Sequence, residues 1–146
     1  PLADTPQQAA DREPLLVKLR AGRTEEALRA LMPVEHIAPG PDRLAILNRF
    51  LAMGLELGPD LLSRQIRALQ RRRDQQATLH KVKAPTLILC GEEDGLTPPK
   101  RHEFMAELMP NSRLVLLPGA GHLLPIEAPE ATTEAVRGWL KGSAAR

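Results

Sequence analysis

Cysteine, aromatic residues and long apolar runs are all scarce in this sequence of 146 residues. No apolar run approaches the roughly 20 residues that cross a bilayer, so we predict no membrane-spanning segment and no membrane partner. The single cysteine, Cys90, cannot form an internal disulfide, and because it lies within the apolar run 86–90 we interpret it as a buried thiol. No secretory signal is visible, which favours a cytoplasmic protein.

Net charge is also small, because 20 Lys and Arg residues stand against 18 Asp and Glu residues, which leaves +2 at pH 7. So small an excess gives no reason to expect a nucleic-acid partner. Basic residues are concentrated in 64–83, where Arg71, Arg72 and Arg73 are consecutive, but no aromatic residue lies there to stack on bases. We therefore interpret this basic segment as a solvated helix end.

Residues 5–73 have the patterns of short amphipathic helices. The segment Thr5-Pro-Gln-Gln8 is a capping-box pattern that begins the first helix, and the acidic residues after Thr24 indicate a second. Pro39-Gly40-Pro41 separates the second helix from those that follow. Apolar side chains then recur at helical spacing on both sides of a break at Gly58-Pro59, namely Leu44, Leu47, Leu51 and Leu55 before it and Leu62, Ile66 and Leu69 after it.

The remainder of the chain predicts the order strand, helix, strand, helix. Two continuous apolar runs, 86–90 and 113–117, are typical of strands buried on both faces of a parallel sheet, and residues 98–108 supply the crossover helix between them. The last helix is expected to begin near Pro129 and to bury three apolar side chains, Val136, Trp139 and Leu140. Two strands are too few for a stable sheet, and the first residue is Pro1 rather than Met. We therefore expect a C-terminal fragment of a larger α/β protein, which pairs with the missing N-terminal half or with itself.

Each predicted strand is followed by a loop that could carry chemistry. Asp94 follows the first strand, and His122 follows the second in the glycine-rich turn 118–122. Because neighbouring parallel strands lie about 4.8 Å apart and end at one edge of the sheet, a carboxylate there can reach the imidazole. Such a carboxylate fixes the tautomer of the ring and leaves its other nitrogen free as a general base. Glu92 and Glu93 compete with Asp94 for the acidic role, and spacing alone leaves that choice open.

Taken singly, Asp94 would be an ordinary solvated loop acid and His122 an ordinary loop histidine. Their shared placement after strands, in the order acid then histidine, favours a catalytic pair. The four histidines, His36, His80, His102 and His122, show no metal-ligand spacing with each other or with the cysteine. We therefore expect neither a metal nor a cofactor.

The part of the sequence from residue 84 to residue 140 resembles the C-terminal end of α/β-hydrolase-fold enzymes. The resemblance rests on Gly91-Glu-Glu-Asp94 after the first strand, Gly119-Ala-Gly-His122 after the second, and Glu127-Ala-Pro-Glu130 at the last helix. It implies that Asp94 is the acid of a catalytic triad and that His122 is its base. It thereby also decides between Asp94 and the two neighbouring glutamates.

The resemblance further implies a partial α/β-hydrolase fold, with a helical cap over residues 1–83 and the C-terminal part of the core over residues 84–146. The nucleophile of that family is a serine in a Gly-x-Ser-x-Gly turn between a strand and a helix. The serines here are Ser63 in a helical stripe, Ser112 before a strand and Ser143 near the C-terminus, and none has that context. The chain is therefore expected to hold the acid and the base but not the nucleophile.

The function that the resemblance implies is that of a carboxylesterase-like hydrolase, which acts on small ester-like substrates through a Ser-Asp-His triad as the full-length parent. This chain alone is expected to be inactive, because it lacks the nucleophile and the oxyanion donors. Lactonase, haloperoxidase, dehalogenase and carbon–carbon hydrolase activities stay open as alternatives on the same fold. A non-catalytic binding or assembly module is a further alternative, although such a module has no need of the Asp94–His122 pair.

Overall fold

The computed structural model describes residues 2–144 of the chain as eight α-helices, one 3₁₀ turn and two strands. In chain order these are α1 (Pro6–Asp11), α2 (Glu13–Arg20), α3 (Thr24–Leu31), the 3₁₀ turn Val34–His36, α4 (Arg43–Gln70), α5 (Gln76–Leu79), β1 (Thr86–Gly91), α6 (Pro99–Leu108), β2 (Ser112–Leu117), α7 (Leu124–Glu127) and α8 (Pro129–Ala144). The predicted order of helices followed by strand, helix, strand and helix is confirmed. Three short helices, α2, α5 and α7, were not predicted.

The capping-box prediction at the start of α1 is confirmed. The Thr5 side chain accepts a hydrogen bond from the backbone of Gln8, and the Gln8 side chain accepts one from the backbone of Thr5. The first helix is shorter than its sequence indicates, because the chain turns at Arg12 and a separate helix, α2, begins with Pro14 in its first turn. The helix at Thr24 is therefore the third, and Arg23 is its N-cap.

The long helix α4 bends sharply at Gly58-Pro59, as predicted. Gly58 has φ of +77°, a conformation that glycine adopts without the steric cost of a Cβ, and Pro59 has no N–H to continue the helix. The buried face of α4 consists of Leu47, Leu51, Gly54, Leu62 and Ile66. The prediction that Leu44 and Leu55 belong to this face is wrong, because both are exposed. Helical spacing marks an apolar stripe but does not tell which edge of the stripe packs.

The sheet is parallel, with β1 and β2 in a register that pairs Thr86 with Ser112 and Gly91 with Leu117. The connection between the strands runs through α6, and both α6 and α8 contact both strands. A buried cluster of Leu117, Ala120 and Leu124 lies where β2 runs into the following loop. The two strands thus end level with each other, which brings the loops that follow them together.

The prediction that α8 buries all three of its apolar residues is wrong for two of them. Val136 and Leu140 are exposed, at 37% and 53%, and Trp139 is partly buried. The sheet in the described residues has only two strands. A sheet of this width is too narrow to cover the whole apolar face of a 16-residue helix. The helix also includes Ser143, near the C-terminus.

The chain forms two compact units. One consists of the residues up to Val34 together with Leu47–Gln75, and the other of Glu35–Ile46 together with the residues from Gln76 onward. The second unit therefore contains a short stretch of the predicted cap region as well as the sheet. In the part of the chain that the structure describes, no helix combines the length and the apolar character that crossing a membrane requires.

Candidate active site

Asp94 and His122 meet in the loops that follow the two strands. Asp94 lies three residues after the end of β1, and His122 lies five residues after the end of β2. His122 Nδ1 is 3.0 Å from Asp94 Oδ2 and 3.2 Å from Asp94 Oδ1. Asp94 is buried, with 6% of its surface exposed, whereas the His122 side chain is 29% exposed. The structure thus brings together the two residues that the sequence singled out, and their catalytic roles stay predictions.

The carboxylate of Asp94 is also held by its own loop. The backbone N–H groups of Leu96 and Thr97 donate to Oδ1 at 2.9 and 2.8 Å, and the Thr97 hydroxyl donates to Oδ2 at 2.8 Å. Thr97 Oγ1 also lies 3.2 Å from His122 Nδ1. Sequence reasoning missed Thr97, although a hydroxyl residue three positions after an acid is a common turn pattern. The carboxylate is therefore fixed by its own loop as well as by the imidazole.

The pKa of Asp94 is lower than the ordinary value for aspartate. Burial opposes the charged form and acts to raise the pKa, but hydrogen bonds from the Thr97 backbone, the His122 ring and the Thr97 hydroxyl, together with the His122 charge, outweigh it. Asp94 is therefore ionised at neutral pH and can only accept hydrogen bonds. His122 must then carry a proton on Nδ1, which leaves Nε2 able to take a proton from a nucleophile.

The lowered pKa of Asp94 predicts how stability depends on pH. The ionised carboxylate stabilises the fold above the unfolded pKa of about 3.9, and this contribution is lost as the pH falls through the lower folded pKa. We expect the difference in unfolding free energy between the wild type and Asp94→Asn to shrink as the pH falls below about 4. Urea denaturation across this range measures it. Glu92→Gln, at an exposed position, is the control, and a difference that stays constant down to pH 2.5 would contradict the prediction.

The neighbouring glutamates do not take part in the pair. Glu92 and Glu93 are both exposed, whereas Asp94 is buried against the imidazole. Their backbone N–H groups bond across to the second loop region, from Glu92 to Leu117 O at 3.0 Å and from Glu93 to Ala120 O at 2.9 Å. These residues therefore join the two loops through the backbone, and their side chains point to solvent.

The loop that carries His122 packs so closely on the end of β1 and on residues 36–38 that two positions need glycine. A Cβ on Gly91 would overlap the backbone carbonyls of Ala120 and Gly121. A Cβ on Gly121 would lie 2.6 Å from His36 O and 2.7 Å from Ala38 N. Residues 36–38, from the predicted cap region, thus border the histidine loop, which sequence reasoning did not anticipate.

Cys90 is buried, as predicted, with 1% of its surface exposed. Burial, followed by the nearby charges of Asp94 and Glu103, raises the pKa of its thiol to about 11. The thiol is therefore protonated at neutral pH and, being enclosed, is no nucleophile.

We find no serine and no metal-binding cluster that joins Asp94 and His122 in the part of the chain that the structure describes. Ser63 lies in α4, and Ser112 begins β2 with its hydroxyl donating to Ala106 O and Met109 O, each at 3.1 Å. Ser143 lies in α8, and its side chain is outside what the structure describes. Among the described residues no three His, Cys, Asp or Glu side chains are grouped so that they could hold a metal ion. In the described residues the site thus consists of an imidazole held by a carboxylate.

Comparison with known proteins agrees with this arrangement of strands and loops. A family profile described as alpha/beta hydrolase fold matches residues 42–129, which include both Asp94 and His122. The chain therefore belongs to the alpha/beta hydrolase fold family.

Individual relatives are hydrolases by name. The chain is 38% identical over 99 residues to a Pseudomonas savastanoi protein that carries the name carbamate hydrolase RutD, with 68% of this chain and 38% of that protein covered. It is 33% identical over 87 residues to a pimeloyl-(acyl-carrier protein) methyl ester esterase of Nitrosomonas europaea, with 60% and 32% covered. Among solved structures, an esterase from Thermogutta terrifontis matches with a TM-score of 0.88 and 26% identity, over 97% of this chain and 53% of that one. The chain thus spans between about a third and about half the length of these proteins.

Proposed function

We propose that this chain supplies the acid and the base of an ester-hydrolysing enzyme, and that a serine outside these 146 residues is the nucleophile. The observation that carries the proposal is the buried Asp94 carboxylate on His122 Nδ1, at 3.0 Å, where two parallel strands end side by side. Membership of the alpha/beta hydrolase fold family and the names of the relatives support it.

In the proposed reaction His122 acts twice. Its Nε2 takes the proton of the serine hydroxyl as the oxygen attacks the ester carbonyl, and it returns the proton to the departing alkoxide. A water molecule then loses a proton to the same nitrogen as its oxygen attacks the acyl carbonyl. The ring returns that proton to the serine oxygen as the carboxylic acid product departs. Asp94 holds the ring in the Nδ1–H tautomer and stabilises the imidazolium that forms in each step.

Under the same proposal the first helices form a cap over the substrate. Residues 1–83 include a helical region rich in leucine, and such side chains suit both packing and an apolar substrate surface. We also propose that the chain associates with a further segment or with itself. The exposure of Val136 and Leu140 on α8 supports this part of the proposal.

A carbamate is the second candidate substrate class, favoured by the 38% identity to the protein named carbamate hydrolase RutD. Esters and carbamates both have a carbonyl that an activated serine can attack, so the roles of Asp94 and His122 are the same in both. The candidates therefore differ in substrate recognition and not in the acid and base.

A chimera tests the proposal. It consists of this chain preceded by the residues of the Thermogutta terrifontis esterase that come before its matched region. We expect the chimera to hydrolyse p-nitrophenyl acetate with saturation kinetics, and this chain alone to show only the rate without protein. A p-nitrophenyl carbamate assayed in parallel separates the two substrate classes. A folded chimera, with the circular dichroism of an α/β protein, that cleaves neither compound would favour the non-catalytic module.

A further inference from the structure

Glu127 accepts hydrogen bonds from three backbone N–H groups in two different segments. Its Oε2 accepts from Ala38 at 2.8 Å and from Gly121 at 2.7 Å, and its Oε1 accepts from Leu123 at 2.7 Å. Bonds to a carboxylate are shorter and stronger than those between neutral groups, and these distances are in that range. The side chain is partly buried, so solvent competes little for its oxygens.

These bonds hold the residues on both sides of His122. Gly121 N–H and Leu123 N–H both point to Glu127, and between them His122 N–H donates to His36 O at 3.0 Å. All three consecutive N–H groups of the loop are thus satisfied by Glu127 or by the segment that Glu127 binds through Ala38. We name residues 121–123, Glu127 and residues 36–38 the histidine clamp.

The clamp has no room for adjustment at Gly121. A Cβ at that position would lie 2.6 Å from His36 O, 2.7 Å from Ala38 N and 2.8 Å from Glu127 Oε2, so the backbone itself fills the space inside the clamp. These hydrogen bonds join Glu127 to backbone groups and not to the side chain of Asp94 or of His122. Its action on His122 therefore passes through the loop backbone.

We propose that Glu127 is a positioning residue for His122, which keeps Nδ1 on the Asp94 carboxylate by fixing the backbone on both sides of the histidine. The catalytic consequence rests on the proposed function, whereas the structural consequence does not. A displacement of about 1 Å at a reacting group costs roughly 10²-fold in rate. Loss of the carboxylate therefore lowers kcat, because the imidazole ring is displaced. It leaves KM nearly unchanged, because Glu127 does not contact substrate in the proposal.

Nuclear magnetic resonance on this 146-residue chain tests the structural consequence. In Glu127→Gln the amide oxygen stays at the Oε2 position, where two N–H groups donate, and the NH₂ group takes the Oε1 position and faces Leu123 N–H. We therefore expect the Leu123 amide to exchange with solvent roughly tenfold faster, as loss of one hydrogen bond predicts. We also expect the downfield His122 Nδ1–H signal to broaden or disappear. Glu130→Gln, at an exposed position three residues on, is the matched control and should change neither signal. The amides of Leu96 and Thr97, bonded to Asp94, should stay protected in both variants, which shows that the effect is local.

The wild type provides a second measurement in case Glu127→Gln does not fold. Scalar couplings across the hydrogen bonds, between the three amide nitrogens and the side-chain carboxyl carbon of Glu127, should be detectable, and their absence would overturn the proposal. So would a folded Glu127→Gln variant whose His122 Nδ1–H signal and Leu123 amide exchange rate equal those of the wild type.

Activity of the chimera separates this proposal from the proposed function. We expect Glu127→Gln to lower kcat for p-nitrophenyl acetate roughly 10²-fold with KM nearly unchanged, and Glu127→Asp to restore part of that loss. An inactive wild-type chimera together with a lost Nδ1–H signal in Glu127→Gln would refute the ester-hydrolase function and support positioning. An active chimera with unchanged kcat in Glu127→Gln would refute positioning and leave the function standing.

Discussion

Asp94→Asn in the chimera is expected to lower kcat for p-nitrophenyl acetate about 10⁴-fold, the size of the effect when the acid of a Ser-His-Asp triad becomes an amide. The local hydrogen bonds give the reason. The backbone N–H groups of Leu96 and Thr97 both donate to Oδ1, so the oxygen of an asparagine amide stays at that position. The NH₂ group then occupies the Oδ2 position, 3.0 Å from His122 Nδ1.

An amide NH₂ at that position can only donate, so it reverses the protonation of the ring. His122 Nδ1 becomes the acceptor and the ring proton moves to Nε2, the nitrogen that must take the proton of the nucleophile. The geometry is kept while the base is blocked, so KM should change little. Steady-state kinetics across pH 6–9 measures both parameters.

His122→Ala and the double variant are the companions of this experiment. His122→Ala should lower kcat at least as much as Asp94→Asn does. The double variant should lower kcat no more than His122→Ala does, because the effects of residues that act as a unit are not additive. Glu92→Gln, at an exposed neighbouring position, is the control and should leave kcat unchanged. Activity of Asp94→Asn within tenfold of the wild type would remove Asp94 from the acidic role.

The meeting of Asp94 and His122 could be predicted because it depends on few structural facts. Two continuous apolar runs joined by a helical segment predict parallel strands, and parallel strands end at the same edge of a sheet. Choosing Asp94 over Glu92 and Glu93 from the residues alone was not possible. Which acid faces His122 depends on the turn after Gly91. In that turn Asp94 N–H donates to Gly91 O at 3.2 Å, and the Asp94 side chain is directed inward.

Thr97 and Glu127 were not predicted as parts of the site, for a common reason. Both act through hydrogen bonds that exist only once loops have folded, and one of the partners of Glu127, Ala38, is 89 residues away along the chain. The Glu-x-Pro-Glu pattern was noticed as part of a resemblance, but spacing does not tell that its first glutamate turns back onto the histidine loop. The exposure of Val136 and Leu140 was missed because periodicity predicts an apolar face and not the area available to cover it.

Gly91→Ala is expected to destabilise this chain by about 3 kcal/mol, at the upper end of what overpacking a well-packed region costs. The added Cβ would overlap the carbonyls of Ala120 and Gly121, and backbone atoms cannot rotate away as a side-chain end can. Relief requires the end of β1 to separate from the histidine loop, which lengthens the 2.9 Å bond from Glu93 N–H to Ala120 O. Asp94 and His122 would then move apart, so loss of stability and loss of the His122 Nδ1–H signal should occur together.

Gly138→Ala is the matched control, because the same atom is added where nothing lies within 4 Å of it. Gly138 is in the interior of α8, where replacing glycine by alanine stabilises a helix by about 0.5–1 kcal/mol. The two substitutions should therefore shift the midpoint of urea unfolding in opposite directions, Gly91→Ala lower and Gly138→Ala higher. Equal midpoints for Gly91→Ala and the wild type would mean that the histidine loop is free to withdraw from β1. The contact that aligns Asp94 with His122 would then not depend on glycine at position 91.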